Sequence, residues 1–191
     1  LIVSKKKDPA RLSFAFLCLA LFIYKGGAFF YGIFLNDFWK IIEYLGLVAI
    51  PTCAIQFTIS LISRYTFLSR RDVISSGIFS GLLAIALFTP LHNYISLDIL
   101  LYLYGGSILL ICYASLLRYI KKRPPGVERT RMVYLSVACT ATAVLSILDL
   151  VYYYGYAFPP VSNLFLAMLL YFVMILITHP HLPELHELMA R

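Results

Sequence analysis

The 191-residue sequence predicts an all-α fold, a polytopic transmembrane helix bundle with six spanning helices, and three observations predict it. Hydrophobic residues make up 61% of the chain and charged residues 13%, against roughly 45–50% and about 25% in an ordinary soluble domain. Six apolar stretches meet the roughly 20 residues needed to cross about 30 Å of hydrocarbon at about 1.5 Å per residue. Strands of alternating polarity are absent from the pattern, so helices and not a β-barrel are expected to satisfy the backbone in lipid.

The first helix is expected near Leu12–Ile33, after the basic run Lys5-Lys6-Lys7 and Arg11. The second, near Phe38–Ser63, contains Pro51 with Gly46 before it, which predicts a kink. The third and fourth are expected near Val73–Asn93 and Asp98–Tyr119, the fifth and sixth near Met132–Tyr154 and Val161–Thr178. Gly26-Gly27 and Gly105-Gly106 suit close helix approach, with ordinary packing as the plainer alternative. Residues 1–178 would then form the bundle and residues 179–191 a cytoplasmic exit segment. The chain opens on Leu1-Ile2-Val3 without an initiator methionine or a secretory signal, so it reads as a piece of something longer whose first residues suit the last turn of an upstream helix.

Charge sets the expected orientation. Lys and Arg gather on cytoplasmic loops, and 14 of the 16 basic residues fall on one side: before the first helix, around Arg64, Arg70 and Arg71, between Arg118 and Arg131, and at Arg191. The opposite loops carry Asn36, Asp37 and Lys40, then His92, Asn93 and Asp98, then the uncharged Tyr156 to Pro160. Both ends are therefore expected to be cytoplasmic in a multi-pass protein. The net charge of +7 goes with the loops, and a nucleic-acid partner, which needs a basic stripe on a water-exposed surface, is not expected. Phe38, Trp39, Tyr44 and Tyr152-Tyr153-Tyr154 flank the outer loops, as an interfacial belt or as the mouth of a ligand site.

Most site chemistry finds no purchase. Cys18, Cys53, Cys112 and Cys139 each lie inside an apolar run without a C-x-x-C pair, which argues against disulfides and structural zinc. His92 and the group His179, His181 and His186 stand at opposite ends of the expected bundle, so a bis-histidine haem is not expected, and His179-Pro180-His181 suits a surface turn. No nucleophile elbow, phosphate loop or zinc-protease motif is present, and the last helix has no lysine for a retinal Schiff base. The expectation is no cofactor, no metal and no enzyme activity in this span.

Three ionisable residues remain inside apolar stretches: Lys25, Glu43 and Asp149. Such groups cost about 2.5–3.5 kcal/mol each on insertion scales and are functional suspects by default. Counted from the outer loops, Glu43 and Asp149 lie about 9 Å deep at about 1.5 Å per residue, with Lys25 deeper. With Tyr44, Tyr152 and Tyr153 nearby they would form a charge-paired pocket open to the outside for a small polar ligand. The alternative is a structural ion pair with snorkelling to the headgroups. Gln56, Thr58 and Ser60 are expected to bond to neighbouring helices.

Several short segments carry a resemblance to a known family. Pro125-Gly126-Val127-Glu128-Arg129-Thr130-Arg131-Met132 is similar to a short loop with an E-R-x-R element running into a helix. Asp149-Leu150, then Tyr154-Gly155 and Pro159-Pro160, look like the end of the next helix and its outer turn. Arg11-Leu12-Ser13-Phe14 after a basic run, and Leu182-Pro183-Glu184-Leu185 after the last helix, look like the family's entry to its second helix and its exit segment. Together they resemble the N-terminal seven-helix membrane sensor region of bacterial sensor histidine kinases and related signalling proteins, with six of the seven helices present. The resemblance implies a sensory or regulatory region in the bacterial inner membrane, relaying an external or intramembrane stimulus to a cytoplasmic kinase or cyclase module, with a homodimer as the expected assembly. A non-catalytic structural subunit packed among other membrane chains is the alternative. In either case the bilayer is a partner, and a small molecule or lipid is the expected ligand of the pocket.

Overall fold

The computed structural model describes residues 9–62, 68–89, 97–153 and 162–178, with backbone alone at 97–98, 146–153 and 162. Among these residues the chain is all-helical: α1 (Pro9–Phe34), α2 (Asp37–Ile62), α3 (Arg70–Leu87), α4 (Leu97–Lys122), α5 (Val127–Tyr153) and α6 (Ser162–Thr178). The exit segment 179–191, the three histidines in it, His92 and the last outer loop lie outside the described residues.

Among the described residues, three helices are long and apolar enough to cross a membrane by length and composition: α1, α2 and Ile99–Lys122 of α4. α3 has 18 residues and opens on Arg70, Arg71 and Asp72. The side chains of α5 are described only to residue 145, a stretch that opens on Glu128, Arg129 and Arg131. α6 is apolar but 17 residues long, a rise of about 25 Å.

The chain divides into two compact units, residues 1–119 and 120–191. In the first, α1 and α2 form a tight antiparallel hairpin. Leu35 ends α1 in the left-handed region at φ 50°, its N–H donating to the Tyr31 carbonyl at 2.8 Å. Asn36 starts α2 as an N-cap, its Oδ1 accepting the Phe38 N–H at 3.0 Å. The buried positions of α1 are Ser13, Ala20 and Gly27, seven residues apart and all small, while Leu12, Phe16, Leu19, Phe22, Phe29 and Ile33 point outward. Small residues inside and large apolar ones outside is the pattern of a helix solvated by lipid, where close backbone packing and not apolar burial drives association.

Contacts run the length of the hairpin. Ser13 and Ser60 share a hydrogen bond at 2.9 Å, and the Phe14 and Phe57 rings lie 5.7 Å apart. Near the turn, Trp39 packs on Phe30 with centroids 4.6 Å apart. Between these levels the helices touch backbone to backbone. A Cβ on Gly27 would sit 2.7 Å from the Glu43 Cα, and one on Gly46 would sit 2.7 Å from the Tyr24 Cα.

α2 is the central helix of this unit, burying Gly46, Val48, Ile50, Pro51, Ala54, Ile55, Thr58 and Ile62. The apolar core joins Val48 to Leu83 and Leu87 of α3 and Leu101 of α4. Helix α3 starts from Ser69, whose N–H donates to Asp72 Oδ2 at 2.6 Å and whose hydroxyl donates to the same oxygen at 2.9 Å. Those two bonds hold the Asp72 carboxyl below its ordinary value.

In the second unit α5 packs against α6, burying Met132, Leu135, Ser136 and Thr142 of α5 and Val173 and Ile177 of α6. The hydroxyls of Ser136, Thr140 and Thr142 donate to carbonyls of their own helix at 2.8 Å, so each has an acceptor in an apolar setting. The turn before α5 is fixed by an Arg123–Glu128 ion pair and by the Thr130 N–H on the Gly126 carbonyl at 3.1 Å.

Candidate functional site

Of the six residues read as a pocket, three are placed with their side chains. Lys25 on α1 is exposed, and Glu43 and Tyr44 on α2 are half-buried. The backbone of Glu43 rests on Gly27 and that of Tyr24 on Gly46, so Lys25 lies between the levels of those two contacts. The Lys25 ammonium sits 5.2 Å from the Tyr24 ring centroid, and Lys40 sits 5.7 Å from that of Tyr44, within reach of a cation–π attraction. Lys25, Glu43 and Tyr44 each have a polar or ring partner. Asp149, Tyr152 and Tyr153 occupy the last two turns of α5, where the side chains lie outside the described residues.

A second polar centre escaped the sequence reading. Thr52, one residue after Pro51 on α2, shares hydrogen bonds with Ser76 and Ser80 of α3 at 3.0 and 3.1 Å. Tyr104 of α4 meets the Ser76 hydroxyl at 2.6 Å and the Ser80 hydroxyl at 3.3 Å, and its O–H lies 3.1 Å from the Ser76 carbonyl. Ser80 also donates to the Val48 carbonyl of α2 at 2.9 Å. Ser76 and Ser80 are buried, and the Phe79 ring stands edge-on to Tyr104 at 4.8 Å.

It lies beside the proline. Pro51 has no N–H, so the α2 ladder lacks the bond that would reach back four residues, and the ring crowds the carbonyl it cannot bond. Within that turn, Val48 takes its extra donor from Ser80 of the neighbouring helix. The carbonyl that Pro51 leaves without its helix donor is that of Leu47, one residue before the one Ser80 bonds. One sign was present in the sequence: Ser76 and Ser80 stand four apart, on one face of a helix.

Other expectations divide. Ser60 bonds across to Ser13, and Thr58 donates to the Ala54 carbonyl of its own helix at 2.8 Å while also pairing with Cys112 of α4. Gln56 is exposed. Of the glycine doublets, Gly27 makes a close approach, whereas Gly26 and Gly106 have nothing within 4 Å and Gly105 stands at ordinary distance, 3.9 Å, from the Pro51 ring. The four cysteines are half-buried free thiols.

No curated protein and no solved structure matches the chain. The family described as the N-terminal 7TM region of histidine kinase matches residues 1–182. That match takes in every described helix, including the α1–α2 hairpin and the hydroxyl junction. The chain belongs to the N-terminal seven-transmembrane region family of histidine kinases.

Proposed function

We propose that this chain is the sensory region of a bacterial signalling protein, set in the inner membrane, which receives a stimulus from outside or within the bilayer and relays it to a cytoplasmic output module. The observation that carries the reading is the family match over residues 1–182. All six helices cross the membrane in this proposal, with both ends cytoplasmic. The segregation of 14 of 16 basic residues supports that orientation. Residues 1–178 are the bundle and 179–191 lead to the output module, where catalysis resides. The working assembly is a homodimer.

The ligand site of this reading is the outer pocket of Lys25, Glu43, Tyr44, Asp149, Tyr152 and Tyr153, taking a small polar molecule or a lipid. Lys25 and Glu43 on one hairpin support it, since a charge on each helix gives a ligand two fixed partners.

Relay requires an element with two arrangements and a stimulus that binds one of them better. The α1–α2 interface is a poor candidate, because two backbone contacts through glycine leave it no room to repack. The junction of Thr52, Ser76, Ser80 and Tyr104 suits the role better. There α2 is short of a backbone bond at Pro51, and the hydroxyls can exchange partners at little cost.

Glu43→Gln and Asp149→Asn, made in the intact protein, test the pocket by output under stimulus. A blunted response is expected, and an unchanged response in both variants removes the pocket. Cysteines introduced at 37 and 123 test the orientation, which fails if both label from one compartment.

A further inference from the structure

The turn between α4 and α5 contains a cavity of about 290 Å³ lined by Pro125, Gly126, Arg129, Thr130, Val133 and Tyr134. We propose that this cavity holds the phosphate of an anionic phospholipid in the adjoining leaflet, with the Arg129 guanidinium as its ligand. The proposal rests on the membrane setting and is independent of the sensory reading.

Three observations support it. Arg129 lines the cavity half-buried, and among the described residues it has no hydrogen-bond or ion-pair partner. Glu128, the one acid in residues 121–131, is already bound to Arg123. Residues 121–131 hold five basic side chains, Lys121, Lys122, Arg123, Arg129 and Arg131, against that single acid. A planar fork of N–H donors without a carboxylate is the arrangement that takes a phosphate in two parallel hydrogen bonds.

The cavity wall points to a lipid as the source of the phosphate. Pro125 and Val133 are apolar, and Val133 stands one turn deeper along α5 than Arg129, on the side of the apolar stretch that begins at Met132. A free phosphate gains nothing from that wall, whereas a phospholipid places its headgroup at Arg129 and the start of its acyl chains against Val133. Tyr134, amphipathic and at the same depth, suits a headgroup boundary. Basic clusters beside a spanning helix are drawn to anionic lipid in any case; the cavity adds a defined place.

The test is native mass spectrometry of the full chain in neutral detergent, with phosphatidylglycerol and phosphatidylcholine as probes. One phosphatidylglycerol is expected to stay bound more firmly than phosphatidylcholine, and Arg129→Gln is expected to weaken that retention about tenfold, the worth of one charged bidentate contact. Arg71→Gln removes the same charge at the exposed start of α3 and is expected to leave retention unchanged. Arg129→Lys keeps the charge but not the fork and is expected to lose part of the retention, which carries the comparison should Arg129→Gln fold poorly. Equal losses in Arg129→Gln and Arg71→Gln, or no loss in either Arg129 variant, would overturn the site. Displacement of the lipid by millimolar inorganic phosphate would also overturn it, by showing a site for free anions.

Discussion

Gly46 of α2 lies against the backbone of Tyr24 of α1, and Gly27 of α1 returns the contact against the backbone of Glu43. The neighbours are main-chain atoms, which cannot swing aside. Gly46→Ala or Gly27→Ala therefore forces the helices apart and is expected to cost about 1–3 kcal/mol, the usual range for overpacking a tight interface. Gly26→Ala is the control, because its Cβ meets nothing within 4 Å and alanine is the better helix former by up to about 1 kcal/mol. Thermal unfolding in detergent should move down for the first two and stay level or rise for the third.

The hydroxyl junction makes a coupled unit. Tyr104→Phe removes one hydroxyl shared by Ser76 and Ser80 and is expected to cost about 0.5–1.5 kcal/mol. Ser76→Ala on top of it should cost less than it does alone, because its main partner has gone. A double-mutant cycle on unfolding free energy checks this, and strict additivity would show that the four hydroxyls act singly.

Leu35 occupies a backbone region that favours glycine, and its side chain is 77% exposed, so little packing is lost by removing it. Leu35→Gly is expected to stabilise the hairpin by up to about 1 kcal/mol, the strain relieved exceeding the chain entropy gained on unfolding. An unchanged or lower melting temperature would count against that strain.

Asp72 gives a pH dependence with a definite sign. Its folded pKa lies below the ordinary value of 3.8 because its carboxylate accepts two hydrogen bonds from Ser69. The contribution to the start of α3 is thus fully present above that ordinary value and is lost as pH falls through the lower folded one. Amide exchange at the first turn of α3 should quicken on acidification in that window. In Asp72→Asn the pH dependence should vanish.

How much of this was legible in the sequence can be traced residue by residue. The helices were, since each rests on a long apolar stretch set off by charge, proline or an Asn-Asp turn. Which glycine of a doublet mattered was not. Gly26 and Gly27 point about 100° apart on a helix with 3.6 residues per turn, and only the position of α2 decides that Gly27 faces it. Gly46 drew notice as a companion of Pro51, yet its role is to receive Tyr24. The junction stayed hidden because Thr52, Ser76 and Tyr104 come from three helices and their hydroxyls acquire meaning only once those helices meet. Among the described residues three helices are long and apolar enough to cross a membrane, and α3 falls short of that because it opens on Arg70, Arg71 and Asp72.

The turn at Leu35 and Asn36 has a mechanical result. Two residues join α1 to α2, one locked in a left-handed conformation and the other tied to the α2 backbone. That joint has no slack, and the glycine contacts below it forbid sliding. The two helices therefore behave as a single stiff arm, so a push on either travels to the far end of both, and any bending falls to the other side of α2.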